Sequence, residues 1–346
     1  MNSYLILKKT DLDALISRLS KSHEIAAPVK RGEKNFAFEI VTSAKQISLT
    51  YTPTILPPKK YYMPQCEKIQ SFDRVAHKWE PIVDGDKKTV IFAAHTCDIS
   101  GIQFLNAVMG TEPQDVNYMS RKEKITLIGL ECNSYCDEYA SCKVMKNHLP
   151  SEGYDLFMTD LGDSFLVHVG TKAGEALVKE TGVFKPAGEA DQKKLKEIRS
   201  QKEKVFKDEV QVKHDELKPL FSRSFDAKVW EDINRRCVSC GNCTNVCPTC
   251  YCFDIRDELS LDLKTGFRSR VWDSCQNEDF ARVAGGENFR EERGKRQRHR
   301  YMRKFNYPVE RLKRYACTGC GRCTRTCMAG ISLKETINAL AKEGRS

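Results

Sequence analysis

A chain of 346 residues with a formal net charge of +10 is long enough for two domains with cores of their own. Its longest apolar runs, TVIFAA (89–94) and ITLIGL (125–130), are strand-length and far short of the ~20 residues that span a bilayer; the N-terminus, MNSYLILKKTDLDALISRLSK, lacks the charge and apolar order of a secretory leader, so a cytoplasmic protein without a membrane partner is expected. In that reducing compartment sixteen cysteines read as metal ligands or redox groups rather than disulfides.

Residues 10–20 predict a helix, with Leu12, Leu15, Ile16 and Leu19 on one face and Thr10 placed to cap it. NFAFEIV alternates Phe36, Phe38 and Ile40 as a half-buried strand would, and LPPKKYYMP (56–64) is a proline-bracketed loop. TVIFAAHTCD is a buried strand running into a polar turn. SGIQFLNAVMG follows with Ile102, Leu105, Val108 and Met109 at helical spacing and Gly110 as its stop. KITLIGLEC repeats the buried strand that ends at a cysteine. YDLFMTD and SFLVHVG flank LGD as a hairpin, and AGEALVKE is helical. These signals predict an α/β domain over residues 1–185. Residues 186–224 are charged, with a thin apolar face of Leu195, Ile198, Val205 and Phe206, and predict a helical linker. Residues 225–346 carry poor strand signals and predict a mostly helical cysteine-rich domain.

CVSCGNCTNVCPTCYC places six cysteines between Cys237 and Cys252. Cys237, Cys240, Cys243 and Cys247, followed by Pro248, have the spacing of a bacterial ferredoxin loop; Cys317, Cys320, Cys323 and Cys327 repeat it, with Met328 in place of the proline. In such loops three thiolates wrap one 4Fe–4S cluster and the displaced fourth reaches the other. The expected assignment is therefore crossed. Cys237, Cys240, Cys243 and Cys327 hold one cluster, and Cys317, Cys320, Cys323 and Cys247 the other. A zinc site, the competing use of such thiols, needs two separated CxxC pairs rather than two complete four-cysteine runs. The 69 residues between the motifs are too many for a compact ferredoxin, which favours a helical dicluster domain. Cys250, Cys252 and Cys275 are left over, either as small buried hydrophobes or as further ligands or redox groups.

The N-terminal part has Cys97, Cys132, Cys136 and Cys142, besides the remote Cys66. Cys97 and Cys132 each follow a buried strand, and strand ends are where α/β sheets bind ligands. The four are candidate ligands of a third iron–sulfur cluster, with Asp98 as an alternative oxygen donor; the alternative is four unrelated thiols. ENFREERGKRQRHRYMRKF is densely basic with interleaved aromatics, the outline of a nucleic-acid patch. It lies between the two cysteine motifs, however, so raising cluster potentials or docking an acidic redox partner are the expected roles. The chain has neither a GxGxxG after a strand nor a Walker A motif, so nucleotide binding has no support.

CVSCGNCTNVCPTCYC, WDSCQNEDFARVAGGENFR, RQRHRYMRKF and CTGCGRCTRTC, taken in order, resemble the family that unites the iron–sulfur A-subunit of anaerobic sulfite reductase with the sulfhydrogenase β-subunit. LPPKKYYMP, HTCD, GLEC and GYDLFMTDLGDSFLVHVGTKAGEAL extend the resemblance over residues 55–330. Family members carry a tight Cys-Phe-Cys before the GYDL region; here CDEYASC places Cys142 in register and Cys136 out of it. The resemblance implies an iron–sulfur electron-transfer subunit without substrate chemistry of its own. It would relay electrons between a flavin-bearing, NAD(P)H-reactive subunit and a catalytic subunit of sulfite reductase or hydrogenase type. The rival readings are an RNA-binding protein with structural clusters and an independent reductase acting at the N-terminal cysteines.

Overall fold

The computed structural model describes residues 4–83, 87–149, 152–207 and 209–344. Its strands are β1 (Tyr4–Lys8), β2 (Glu24–Arg31), β3 (Asn35–Val41), β4 (Cys66–Asp73), β5 (Lys78–Pro81), β6 (Thr89–His95), β7 (Ile125–Leu130), β8 (Leu156–Asp160), β9 (Ser164–Val169), β10 (Lys185–Pro186), β11 (Phe253–Leu259) and β12 (Thr265–Trp272). An eight-stranded sheet runs β10-β1-β9-β8-β7-β6-β2-β3, with β2, β6, β7 and β8 parallel and the outer pairs antiparallel. Every residue of β6 is buried, as a strand covered on both faces requires. Helices Leu12–Leu19 and Lys172–Thr181 cover one face, where Ile16 and Leu177 meet Phe92 and Phe165. Helix Thr96–Met109 and helix Val116–Lys124 cover the other, where Ile99, Phe104 and Tyr118 meet Ile91 and Phe157.

The α/β expectation holds, with local differences. Asp11, not Thr10, stands at the N-cap of the first helix, and residues Lys9–Asp11 form a 3-10 turn before it. Phe38 is fully buried while Ile40 is 49% exposed, because β3 is the outermost strand and has a neighbour on one side only. The proline-bracketed loop contains a short helix, Lys59–Tyr62.

In the linker, helix Glu189–Val205 packs Leu195 and Ile198 on Leu161 and Leu166, Phe206 is buried, and Val205 stays exposed. Helices Leu217–Arg223, Val229–Arg236, Arg293–Phe305 and Leu333–Glu343 then share a core of Phe221, Trp230, Tyr301, Phe305 and Ile337, in which the Phe221 and Phe305 rings stack at 4.6 Å. The cysteine-rich part is thus largely helical, with one departure. Residues 253–272 form a β11–β12 hairpin, and β12 pairs antiparallel with β4 to build a second sheet, β11-β12-β4-β5, from both parts of the chain. Buried Arg270 on β12 binds Glu67 of β4 at 2.6 Å and reaches Asp115, while Arg121 binds the same Glu67. Such a satisfied, buried ionic network specifies one docking geometry.

Candidate iron–sulfur centres

The two ferredoxin-like loops are built alike. Gly241 and Gly321 adopt left-handed φ of 74° and 77° and start four-residue helices, Asn242–Asn245 and Arg322–Arg325. A left-handed φ costs a side-chain-bearing residue energy and glycine nothing, which is why the motif places glycine there. Each loop curls its thiols around a small cavity, with Cys240 exposed at the rim of the first. A cavity of about 20 Å³ is lined by Cys237, Cys240, Cys243 and Cys327, and a second of about 20 Å³ by Cys317, Cys320, Cys323 and Cys247. Each cavity therefore combines three thiols of one motif with the fourth of the other. Among the described residues no three His, Cys, Asp or Glu side chains converge as they would on a single ion.

The N-terminal cysteines lie against the second loop. β6 and β7 are parallel neighbours with His95 opposite Leu130, so Cys97 and Cys132 leave adjacent strand ends. Cys136 donates a hydrogen bond that favours the Cys132 thiolate, and Cys97 and Cys142 are near enough to push the Cys136 thiol further up. The loop carrying Cys142 is seated on the second motif: Ser141 N–H donates to Gly319 O at 2.8 Å, and a Cβ on Gly319 would stand 2.5 Å from Ser141 O. Asp98 is withdrawn from the ligand candidates. It is fully buried and its two oxygens accept from Arg322 at 2.7 and 2.9 Å, so its charge is already matched. His95 stacks on Tyr51 at 3.8 Å, and burial first, then Arg322, lowers its pKa to about 3, which keeps the ring neutral.

Over 342 residues, 99% of each chain, the sequence is 36% identical to sulfhydrogenase 2 subunit beta of Pyrococcus furiosus. The chain belongs to the sulfhydrogenase β-subunit family. Residues 236–331 match a family model described as a 4Fe-4S dicluster domain, so this β-subunit relative carries two 4Fe–4S clusters and is an iron–sulfur protein of an oxidoreductase complex. No helix among the described residues is long and apolar enough to cross a membrane.

One face of this family member's basic stretch turns inward, while Arg293 and Lys295 stay exposed. In helix Arg293–Phe305, Arg296, Arg300 and Lys304 follow a spacing of four, and each is at least nine-tenths buried. Arg300 and Lys304 line the cavity of Cys317, Cys320, Cys323 and Cys247, while Gln297 Nε2 donates to Cys237 Sγ at 3.4 Å and Cys243 Sγ at 3.8 Å. Backbone donors add Gly319 N to Cys317 Sγ at 3.4 Å and Ile331 N to Cys327 Sγ at 3.3 Å. Burial alone would lower the Lys304 pKa, but the neighbouring Cys247 and Cys250 thiolates more than offset it. Buried cations that answer to thiolates fit anionic clusters, and N–H···S bonds stabilise a cluster's reduced state. Of the two roles expected for this stretch, tuning fits its inward face; Arg300 is too buried to dock a partner, and Arg298 lies over the Phe225 ring.

Sequence reasoning missed Glu131. It is fully buried beside Cys132 and binds Lys202 at 2.9 Å, Arg199 at 3.1 Å and Thr159 at 2.6 Å, which anchors the linker helix next to the N-terminal cysteines. A polar residue directly after a buried strand was the available signal. Cys66 is exposed at the start of β4. Cys250 and Cys275 are buried and Cys252 is half-buried in a third small cavity, of about 40 Å³, beside the helix of Arg300 and Lys304.

Proposed function

We propose that this chain is the electron-relay subunit of a sulfhydrogenase-type complex, passing electrons between a flavin-bearing, NAD(P)H-reactive subunit and a catalytic subunit of hydrogenase or sulfite reductase type. Cys237, Cys240, Cys243 and Cys327 hold one cluster; Cys317, Cys320, Cys323 and Cys247 hold the other; Cys97, Cys132, Cys136 and Cys142 hold a third. The observation that carries the reading is contiguity. The N-terminal thiols lie against the second ferredoxin-like loop, with Cys97 close enough to Cys320 for their charges to interact, and that loop shares its cysteines with the first. When bound, the clusters supply one-electron steps, which a flavin partner couples to two-electron hydride chemistry. The chain's own contribution is to hold the thiols, exclude water and surround them with N–H donors and buried cations.

The anaerobically purified chain should carry about eight irons for two clusters and about twelve with the third, at four per cluster. Cys132→Ala or Cys142→Ala should remove about four irons, leave the two ferredoxin-type electron paramagnetic resonance signals in place, and interrupt electron flow between partner subunits. Unchanged iron in both variants would reject the third cluster and leave the other two standing. Stoichiometric zinc in place of iron would reject the whole reading.

A second reading has one observation in its favour. An open pocket of about 510 Å³ lies beside Cys132 and Cys136, walled by Tyr51, His95, Glu131 and Asp160, and could admit a small acceptor to an N-terminal reductase site. Turnover of such an acceptor by the chemically reduced chain without partners would favour it. Arg296, Arg300 and Lys304 face inward and are unsuited to RNA, while Arg293 and Lys295 of the same stretch stay exposed.

A further inference from the structure

We propose that Cys250, Cys252 and Cys275 hold an additional four-iron cluster through three thiolates, with His299 as its fourth ligand. The three thiols and the His299 ring line one cavity of about 40 Å³, closed on its apolar side by Phe104 and Ala316. Each ferredoxin-like cavity measures about 20 Å³, so the space here is no smaller than where four thiols meet. Cys252 and Cys275 are within hydrogen-bonding reach of each other, and Cys250 is within reach of Cys247.

The cations around this cavity separate a ligand site from ordinary packing. Lys59 is 2% exposed, and its ammonium donates to Cys250 O at 2.7 Å and lies 4.1 Å from the Trp272 ring centroid. Lys304 is 6% exposed and donates to Thr249 Oγ1 at 2.7 Å. Among the described residues neither has a carboxylate within ion-pair distance. Burying a charge is costly unless an opposite charge meets it. Lys304 also lines the cavity of Cys247, whose cluster answers part of its charge, whereas Lys59 faces Cys250 first and Cys247 second; thiolates on a cluster in this cavity would supply negative charge beside both ammonium groups. The site also adjoins both ferredoxin-like cavities. Arg300 and Lys304 line it and the cavity of Cys317, Cys320, Cys323 and Cys247, while Gln276, next to Cys275, lines the cavity of Cys237. The helix of the basic stretch presents His299 into it from the same turn as Arg300 and Arg303.

Native mass spectrometry of the anaerobic full chain counts clusters directly. The Cys250→Ser/Cys252→Ser/Cys275→Ser variant should lose one cluster relative to wild type, and not the one lost by Cys132→Ala, so the two sites stand or fall separately. A triple variant with the wild-type number of clusters overturns the proposal, as does a wild-type chain whose clusters are all accounted for by the ferredoxin-like and N-terminal cysteines. If the triple variant does not fold, Mössbauer spectroscopy of ⁵⁷Fe-labelled wild type decides. One iron should differ from the thiolate-ligated remainder, and His299→Cys should erase that difference at constant iron content. Uniform thiolate-ligated iron in the wild type overturns the assignment.

Discussion

Replacing Arg322 with methionine would strip a buried carboxylate of its counter-charge where the two parts of the chain meet. Asp98 is 0% and Arg322 1% exposed; the guanidinium donates to both Asp98 oxygens at 2.7 and 2.9 Å, and to Thr54 O at 2.7 Å and Oγ1 at 3.1 Å. Removing one partner of a buried pair costs roughly 3–5 kcal/mol. The expected loss is therefore about 4 kcal/mol at pH 7. Asp98→Asn/Arg322→Met should recover most of the loss. Anaerobic urea unfolding at pH 7, followed by tryptophan fluorescence and cluster absorbance, reads the difference. A loss below about 1 kcal/mol would refute the argument.

Lys304→Met should lower the potential of the cluster beside Cys247. A unit charge on the order of 8 Å away at an effective dielectric of 20 contributes about 2 kcal/mol, on the order of 90 mV for a one-electron couple, measurable by redox titration. Gly319→Ala puts a methyl group against the Ser141 backbone at a φ of +69° and should destabilise the chain by about 2 kcal/mol or more, with faster alkylation of Cys142. Asp115 has its pKa lowered, as the Arg270 hydrogen bond and the Tyr118 N–H outweigh the opposing effect of burial. A depressed carboxylate contributes stability above its unfolded value and loses it as pH falls through the folded one. Asp115→Asn should thus cost about 1 kcal/mol at neutral pH, and its gap to wild type in urea midpoint should close below about pH 4.

What the sequence reveals here follows periodicity and spacing. The runs 89–95 and 125–130 read as buried strands because each is covered on both faces, and the ferredoxin spacing grouped eight cysteines as the two cavities do. The β11–β12 hairpin was missed: Phe253, Ile255 and Leu259 do alternate with polar residues, but all seven residues of β11 are exposed, so the pattern marks no buried face, and β12 pairs with a strand far away in the chain. Pairings set by single charges were equally silent. Arg322 reads as a loop cation inside a cysteine motif, and only the fold brings it to Asp98. The same holds for Arg300 and Lys304, whose basic neighbourhood reads as surface until the helix turns one face inward.

The shared sheet also sets an order of events during synthesis. Asp73 of β4 pairs with Thr265 of β12, which leaves the ribosome 192 residues later. At about 5–20 residues per second that is a wait of roughly 10–40 s, during which one edge of β4 has no strand to pair with. Over the same interval the segment carrying Cys142 lacks the loop of Gly319 and Gly321 that packs on residues 139–142 in the finished fold. An unpaired strand edge invites association with other chains, and open thiols invite oxidation. Production in which iron and sulfide arrive only after the chain is complete should therefore yield aggregate preferentially from nascent chains stalled before residue 265, and slowing translation upstream of that point should lower the soluble yield.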